Sequence, residues 1–129
     1  MSRLCPCTSG EAYKVCCQPY HNGKKRPLPR PLMRSRYAAY ALGKVGYILK
    51  TEQLAEKQKD AAVRRRDIKQ FSQNTQFVGL QILDEQLLDE THATVTFHAI
   101  LLQSGHDVSY TEKSLFEKVN GRWLYIAAT

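Results

Sequence analysis

Beyond residue 17 this chain of 129 residues has no cysteine. All four lie at positions 5, 7, 16 and 17, which excludes a fold stapled by disulfides along its length. Long apolar runs are missing too. No stretch approaches the roughly 18 residues that a membrane-spanning helix needs. The opening Met1-Ser2-Arg3-Leu4-Cys5-Pro6 lacks the apolar core of a secretory signal. A cytoplasmic location without membrane insertion is therefore expected. Acidic residues are scarce in one region only. Residues 1–36 hold eight lysines and arginines against Glu11 alone, while the remainder balances eleven against eleven. The net charge of +7 is thus the charge of an N-terminal arm on a neutral body.

Cysteines grouped this tightly in a reducing compartment point to a metal site. Cys5-Pro6-Cys7 and Cys16-Cys17 offer two pairs of sulfurs, with Ser9-Gly10 supplying a bend between them. Zinc takes four such ligands in a tetrahedron, and four thiolates leave no open position, as in a structural site. Adjacent cysteines do not easily face one point, so His21 is an alternative to Cys17 as fourth ligand. Redox or disulfide chemistry is a further alternative, although neither pair has the two-residue spacing of thioredoxin-like sites. Four thiolates on one zinc would leave the arm at about +5, still basic.

Residues 22–31 read as a basic, proline-rich linker, with Pro31 placed to open a helix. Met33, Tyr37, Ala41, Val45 and Ile48 then form one helical stripe. Residues 53–72 contain no Gly or Pro and suggest one or two short helices, with Leu54, Ala61, Ala62, Val63, Ile68 and Phe71 inward. From residue 77 the pattern is strand-like: runs at 77–83, 91–102, 107–119 and 122–127, separated by an acidic turn at 84–90, a turn at 103–106 and Asn120-Gly121. Helices followed by an antiparallel meander make an α+β fold.

Residues 5–17, CPCTSGEAYKVCC, resemble the SEC-C motif, the zinc-binding tail of the SecA preprotein translocase motor. Thr8 is the one departure, standing where glycine is usual. The resemblance implies Cys5, Cys7, Cys16 and Cys17 as ligands of one structural zinc ion. Cys16-Cys17-Gln18-Pro19-Tyr20, the 32–40 segment LMRSRYAAY, Phe77-Val78-Gly79-Leu80-Gln81-Ile82, Glu112-Lys113-Ser114-Leu115-Phe116 and Gly121-Arg122-Trp123-Leu124-Tyr125-Ile126 are similar to the YchJ-like family of bacterial proteins. That family implies a SEC-C motif over 1–21 and, after the linker, a nuclear transport factor 2-like domain over 32–129, a curved sheet wrapped around helices. Where many members carry a Thr-Trp-His-Pro-like signature, this chain reads Thr51-Glu52-Gln53.

Strand alternation places Glu112 on one face with Val108, Tyr110, Ser114 and Phe116. A carboxylate among apolar neighbours needs a partner, and Arg36, Arg34 or a tyrosine is expected to supply it. Tyr37, Tyr110 and Glu112 would line any pocket between sheet and helices. Arg64-Arg65-Arg66 reads as a solvated helix face. Two functions follow as expectations. One is a protein-interaction module, on an export chaperone or ribosome, in which Lys14, Lys24, Lys25 and Arg26 dock an acidic protein partner or RNA; the SecA tail engages the chaperone SecB. The other is a small-molecule-binding protein, or a lyase or isomerase using Glu112 in the pocket.

Overall fold

Pro29, two residues before the expected Pro31, opens the first long helix. The N–H groups of a helix's first turn have no internal partner, so prolines at its first and third positions forfeit no hydrogen bond. The connector is correspondingly shorter than 22–31. The computed structural model describes residues 3–54 and 60–129. In chain order it contains a 3-10 turn at Tyr13–Val15, then α1 (Gln18–His21), α2 (Pro29–Leu42), α3 (Val45–Lys50), α4 (Ala61–Asn74), β1 (Gln76–Leu87), β2 (His92–Gln103), β3 (His106–Asp107), β4 (Tyr110–Val119) and β5 (Arg122–Ala128).

The stripe expected to run unbroken from Met33 to Ile48 is interrupted at Gly43, whose φ of 73° ends α2. Lys44 N–H then bonds back to Ala39 O at 2.8 Å, the closure that a left-handed C-terminal glycine permits. In α4 the first turn serves capping, with Asp60 accepting from Val63 N–H at 3.0 Å. Ala61 and Ala62 are therefore exposed, not inward, and apolar contact centres on Ile68 one turn on. The part of the helical expectation that falls on 55–59 lies outside the described residues.

The sheet is antiparallel in the order β1-β2-β4-β5, with the short β3 beside β2. Ser104-Gly105 and Asn120-Gly121 all have positive φ, the conformation of two-residue turns that match strand twist. The acidic turn expected over 84–90 is really strand as far as Leu87. Asp84, Glu85 and Gln86 pair with Thr96, Val95 and Thr94, and Arg30 meets Glu85 at 3.3 Å. The chain reverses only around Asp89, whose carboxylate accepts from Thr91 N–H at 2.8 Å. The run at 107–119 is also broken, because Ser109 leaves the ladder to bond Asp107 and Leu101. Two bulges bend β1: Phe77 faces Leu101 and Gly79 faces Ile100, leaving Val78 extra, and a second shift follows Ile82.

Helix α2 lies against the sheet. Leu32, Met33, Tyr37, Val95, Phe97, Leu101 and Phe116 form one core cluster, which Cys5, Cys7, Tyr13 and Cys17 share. Ala39, Tyr47, Ile48 and Ile68 form a second cluster among the helices. Among the described residues no helix is long and apolar enough to cross a membrane.

Candidate functional site

The N-terminal segment folds by a few backbone bonds. Cys5 N–H donates to Glu11 O and Tyr13 N–H to Arg3 O, each at 2.8 Å, which closes a small hairpin. Thr8 N–H returns to Cys5 O at 3.1 Å, turning Cys5 and Cys7 to one side. Cys16, between the 3-10 turn and α1, has φ −111° and ψ −94°, outside the helical and extended regions. That bend answers the difficulty of adjacent cysteines: Cys16 and Cys17 Sγ lie 3.9 Å apart and face one centre. Cys7 and Cys16 Sγ are 3.6 Å apart, and all four sulfurs fall within 4.8 Å of one another.

Sulfurs about 2.3 Å from a tetrahedral ion would be about 3.8 Å apart, so this donor set fits a soft ion such as zinc. Cys5, Cys7 and Cys17 are buried, and Cys16 is half-buried beside Ser9 Oγ at 3.2 Å. Hydrogen bonds from Cys17 and Cys5 hold the Cys7 thiol far below its ordinary range. Hydrogen bonds to Cys5 and Cys7, with burial, push Cys17 upward. Cys5 is drawn down by Cys17 but driven harder the other way by Cys7 and burial, to about 11.

His21, the alternative ligand, is occupied. Its Nδ1 is 2.6 Å from Tyr13 Oη and its Nε2 is 2.8 Å from Ser35 O. Thr8 departs from the motif's glycine at a position where φ is 64°, which explains the preference for glycine there. Its hydroxyl accepts from Leu80 N–H of β1 at 3.0 Å, tying the knuckle to the sheet. Lys14, Leu4 and Val15 point outward from the knuckle.

A second feature lies between sheet and helices, a cavity of about 390 Å³ lined by Tyr37, Tyr110, Glu112 and others. Glu112 does not pair with Arg36 or Arg34. Its Oε2 accepts from Ser114 Oγ at 2.6 Å and Tyr125 Oη at 2.9 Å, while no hydrogen bond engages Oε1 among the described residues. Tyr37 Oη donates to Gly79 O at 2.8 Å. Tyr110 stands at the rim, 43% exposed, stacked edge-on to Phe97. Desolvation and the Glu112 charge raise its phenol to about 12.

Arg36 is engaged elsewhere. Its guanidinium donates to Glu52, Thr51 and Ile48 O, and lies 4.8 Å from the Tyr125 ring centroid. Arg64, expected on a solvated face, grips both oxygens of Glu52 at 2.8 and 2.9 Å. Burial favours a protonated Glu52, but the two arginines outweigh it and hold the carboxyl below its ordinary value. Sequence reasoning missed this Arg36–Glu52–Arg64 unit. Glu52 reaches it through an isolated parallel bridge to Tyr125, a contact that no local pattern announces.

Comparison with known proteins places the chain. Residues 28–128 match the YchJ middle NTF2-like domain, and residues 1–19 match the SEC-C motif. The chain belongs to the YchJ-like family. A UPF0225 protein of Actinobacillus succinogenes is 34% identical over 131 residues, covering 100% of this chain and 83% of the relative. The UPF0225 protein YchJ of Shigella dysenteriae serotype 1 is 36% identical, with 100% and 84% covered. Among solved structures, a SEC-C motif containing protein from Rhodopseudomonas palustris superposes with a TM-score of 0.77 at 31% identity, over 100% of this chain and 98% of that one. The YchJ-like architecture is thus a cysteine knuckle joined to a nuclear transport factor 2-like body, and here the two share one core.

Proposed function

We propose that this YchJ-like chain is a small-molecule-binding domain whose N-terminal knuckle holds one structural zinc through Cys5, Cys7, Cys16 and Cys17. The cavity of about 390 Å³ carries the ligand-binding reading. Its walls are largely aromatic and aliphatic, and Tyr110 Oη and Glu112 Oε1 converge on it without committed partners among the described residues. A few polar groups in an apolar hollow suit a ligand with an apolar or aromatic body and a hydrogen-bond-donating head. Such a head (an amine, amide or hydroxyl) would meet Glu112, while Tyr110 closes over the body.

Ligand-observed NMR screening of the zinc-loaded protein against a fragment library tests this. Hits should move the amides of Tyr110, Glu112 and Tyr125 and bind about tenfold more weakly to Glu112→Gln, the order expected for a hydrogen bond to a charged group. A library that leaves those amides unmoved sinks the reading. Proton transfer by Glu112, as in a lyase or isomerase, uses the same hollow and would show as turnover lost in that variant. For the metal, elemental analysis should return one zinc per chain.

A second reading rests on the knuckle's outer surface. Leu4 and Val15 are 65% and 63% exposed on the knuckle that also presents Lys14, a basic and apolar surface suited to an acidic protein segment. A pull-down from lysate that persists with Lys14→Glu and Val15→Ser would remove that reading.

A further inference from the structure

The basic arm does not end in solvent. A second cavity, of about 320 Å³, opens between residues 23–28, the end of α3 and the β4–β5 hairpin. Lys25, Arg26, Lys50, Lys118 and Arg122 line it, and none of the described residues that line it is acidic. These side chains come from three separated stretches of chain. Lys50, Lys118 and Arg122 belong to the part of the sequence whose charges sum to zero, so their convergence on the arm is a product of the fold. Lys14 and Lys24 are not among the lining residues.

The geometry is close where it can be measured. The Arg26 guanidinium lies 3.8 Å from the point where a side chain on Gly121 would begin, so the linker arginine rests on the hairpin turn. Lys50 Nζ sits 5.5 Å from the Tyr47 ring centroid. Among the described residues no carboxylate pairs with Lys25, Arg26, Lys118 or Arg122, whereas Arg30, Arg36 and Arg64 each have one. Five exposed cations gathered around one cleft give it a positive field that an anion would complement.

The remaining wall is mixed, with Thr51 and two tyrosines beside an apolar part. Pro27, Leu28, Trp123 and Leu124 contribute to it. The hollow is far larger than a phosphate ion and sits at the lower end of small-molecule sites. An anionic group joined to a planar or apolar body matches both halves of the lining. We propose that this cleft is a second ligand site, for a small phosphate-bearing molecule with a planar or apolar body, of mononucleotide size. The site is separate from the cavity of Glu112 and does not depend on its ligand.

Trp123 is the only tryptophan of the sequence and lines this cleft, so its fluorescence can follow binding there. The metal-loaded protein is titrated with adenosine monophosphate, adenosine, inorganic phosphate and RNA oligonucleotides of increasing length. Adenosine monophosphate should give a saturable change that weakens with added salt, inorganic phosphate a weaker one, and adenosine none. Arg26→Glu with Arg122→Glu should lower the affinity at least tenfold, and the single Lys118→Gln about threefold. All three side chains are exposed, so the variants' melting temperatures should match the parent's. Four results overturn the proposal: no saturable change with any probe, equal affinity for adenosine, unaltered affinity in the variants, or binding confined to longer RNA oligonucleotides. Equal affinity for phosphate and the nucleotide overturns the role of the apolar wall.

Discussion

The imidazole of His21 meets the carbonyl oxygen of Ser35 at 2.8 Å and so joins the knuckle to α2. A carbonyl can only accept, so Nε2 carries the proton and Nδ1 accepts from Tyr13 Oη at 2.6 Å. Both ring nitrogens are thereby used, and desolvation holds the imidazole pKa below its ordinary value.

His21→Ala should destabilise the protein by about 1–3 kcal/mol, because a tyrosine hydroxyl is left without its partner. The metal content should stay the same. Urea denaturation and elemental analysis on one preparation check both. Loss of metal in the variant would mean that four sulfurs are not the ligand set.

Thr8 sets two effects against each other. Its left-handed backbone costs about 1 kcal/mol relative to glycine, while its hydroxyl satisfies Leu80 N–H. Thr8→Ala keeps the strain and loses the bond, so it should cost about 1–3 kcal/mol. Thr8→Gly loses the bond and the strain together and should melt at a higher temperature than Thr8→Ala. Calorimetry of the two variants checks the order.

Glu52 should govern acid stability. Its folded pKa is below the unfolded one, so the unfolded state binds the extra proton and stability rises with pH across that interval. The contribution is complete above the ordinary carboxyl value near 4.5 and disappears as pH falls through the lowered folded value. Glu52→Gln strands Arg36, which is 4% exposed, and should cost about 3–5 kcal/mol at neutral pH. Its melting temperature should then vary less between pH 5 and 3 than the parent's.

Chelation should be felt well beyond the knuckle. Cys5, Cys7 and Cys17 share a cluster with Leu80, Phe97 and Phe116, so metal loss would open the main core. Hydrogen exchange after chelator treatment should quicken at Leu80 as well as at residues 3–21. Protection unaltered in β1 would show that knuckle and body fold independently.

Local chemistry made much of this legible. The spacing of the cysteines, the glycine turns at 104–105 and 120–121, and the alternation that groups Tyr110 with Glu112 are short-range signals, and each is realised. What sequence alone could not reach depends on distant strands. Arg36 chooses Glu52 over Glu112 because an isolated bridge brings residue 52 beside Tyr125. Arg64 leaves the solvent for the same reason. His21 rivals Cys17 on composition, and only the fold shows its two nitrogens engaged by Tyr13 Oη and Ser35 O. The strand β1 runs on past the apolar stretch 77–83 because pairing with β2 requires no burial.

The extra residue at Val78 separates two properties of β1 that usually change together. Phe77 and Leu80 both turn inward although an odd number of positions divides them. Deleting Val78 would leave those two on the same side, now at ordinary alternate spacing, yet would straighten the strand and shift Gly79 O away from Tyr37 Oη. Curvature, and with it the width of the hollow's mouth, could thus be altered by a single codon loss that removes no wall residue.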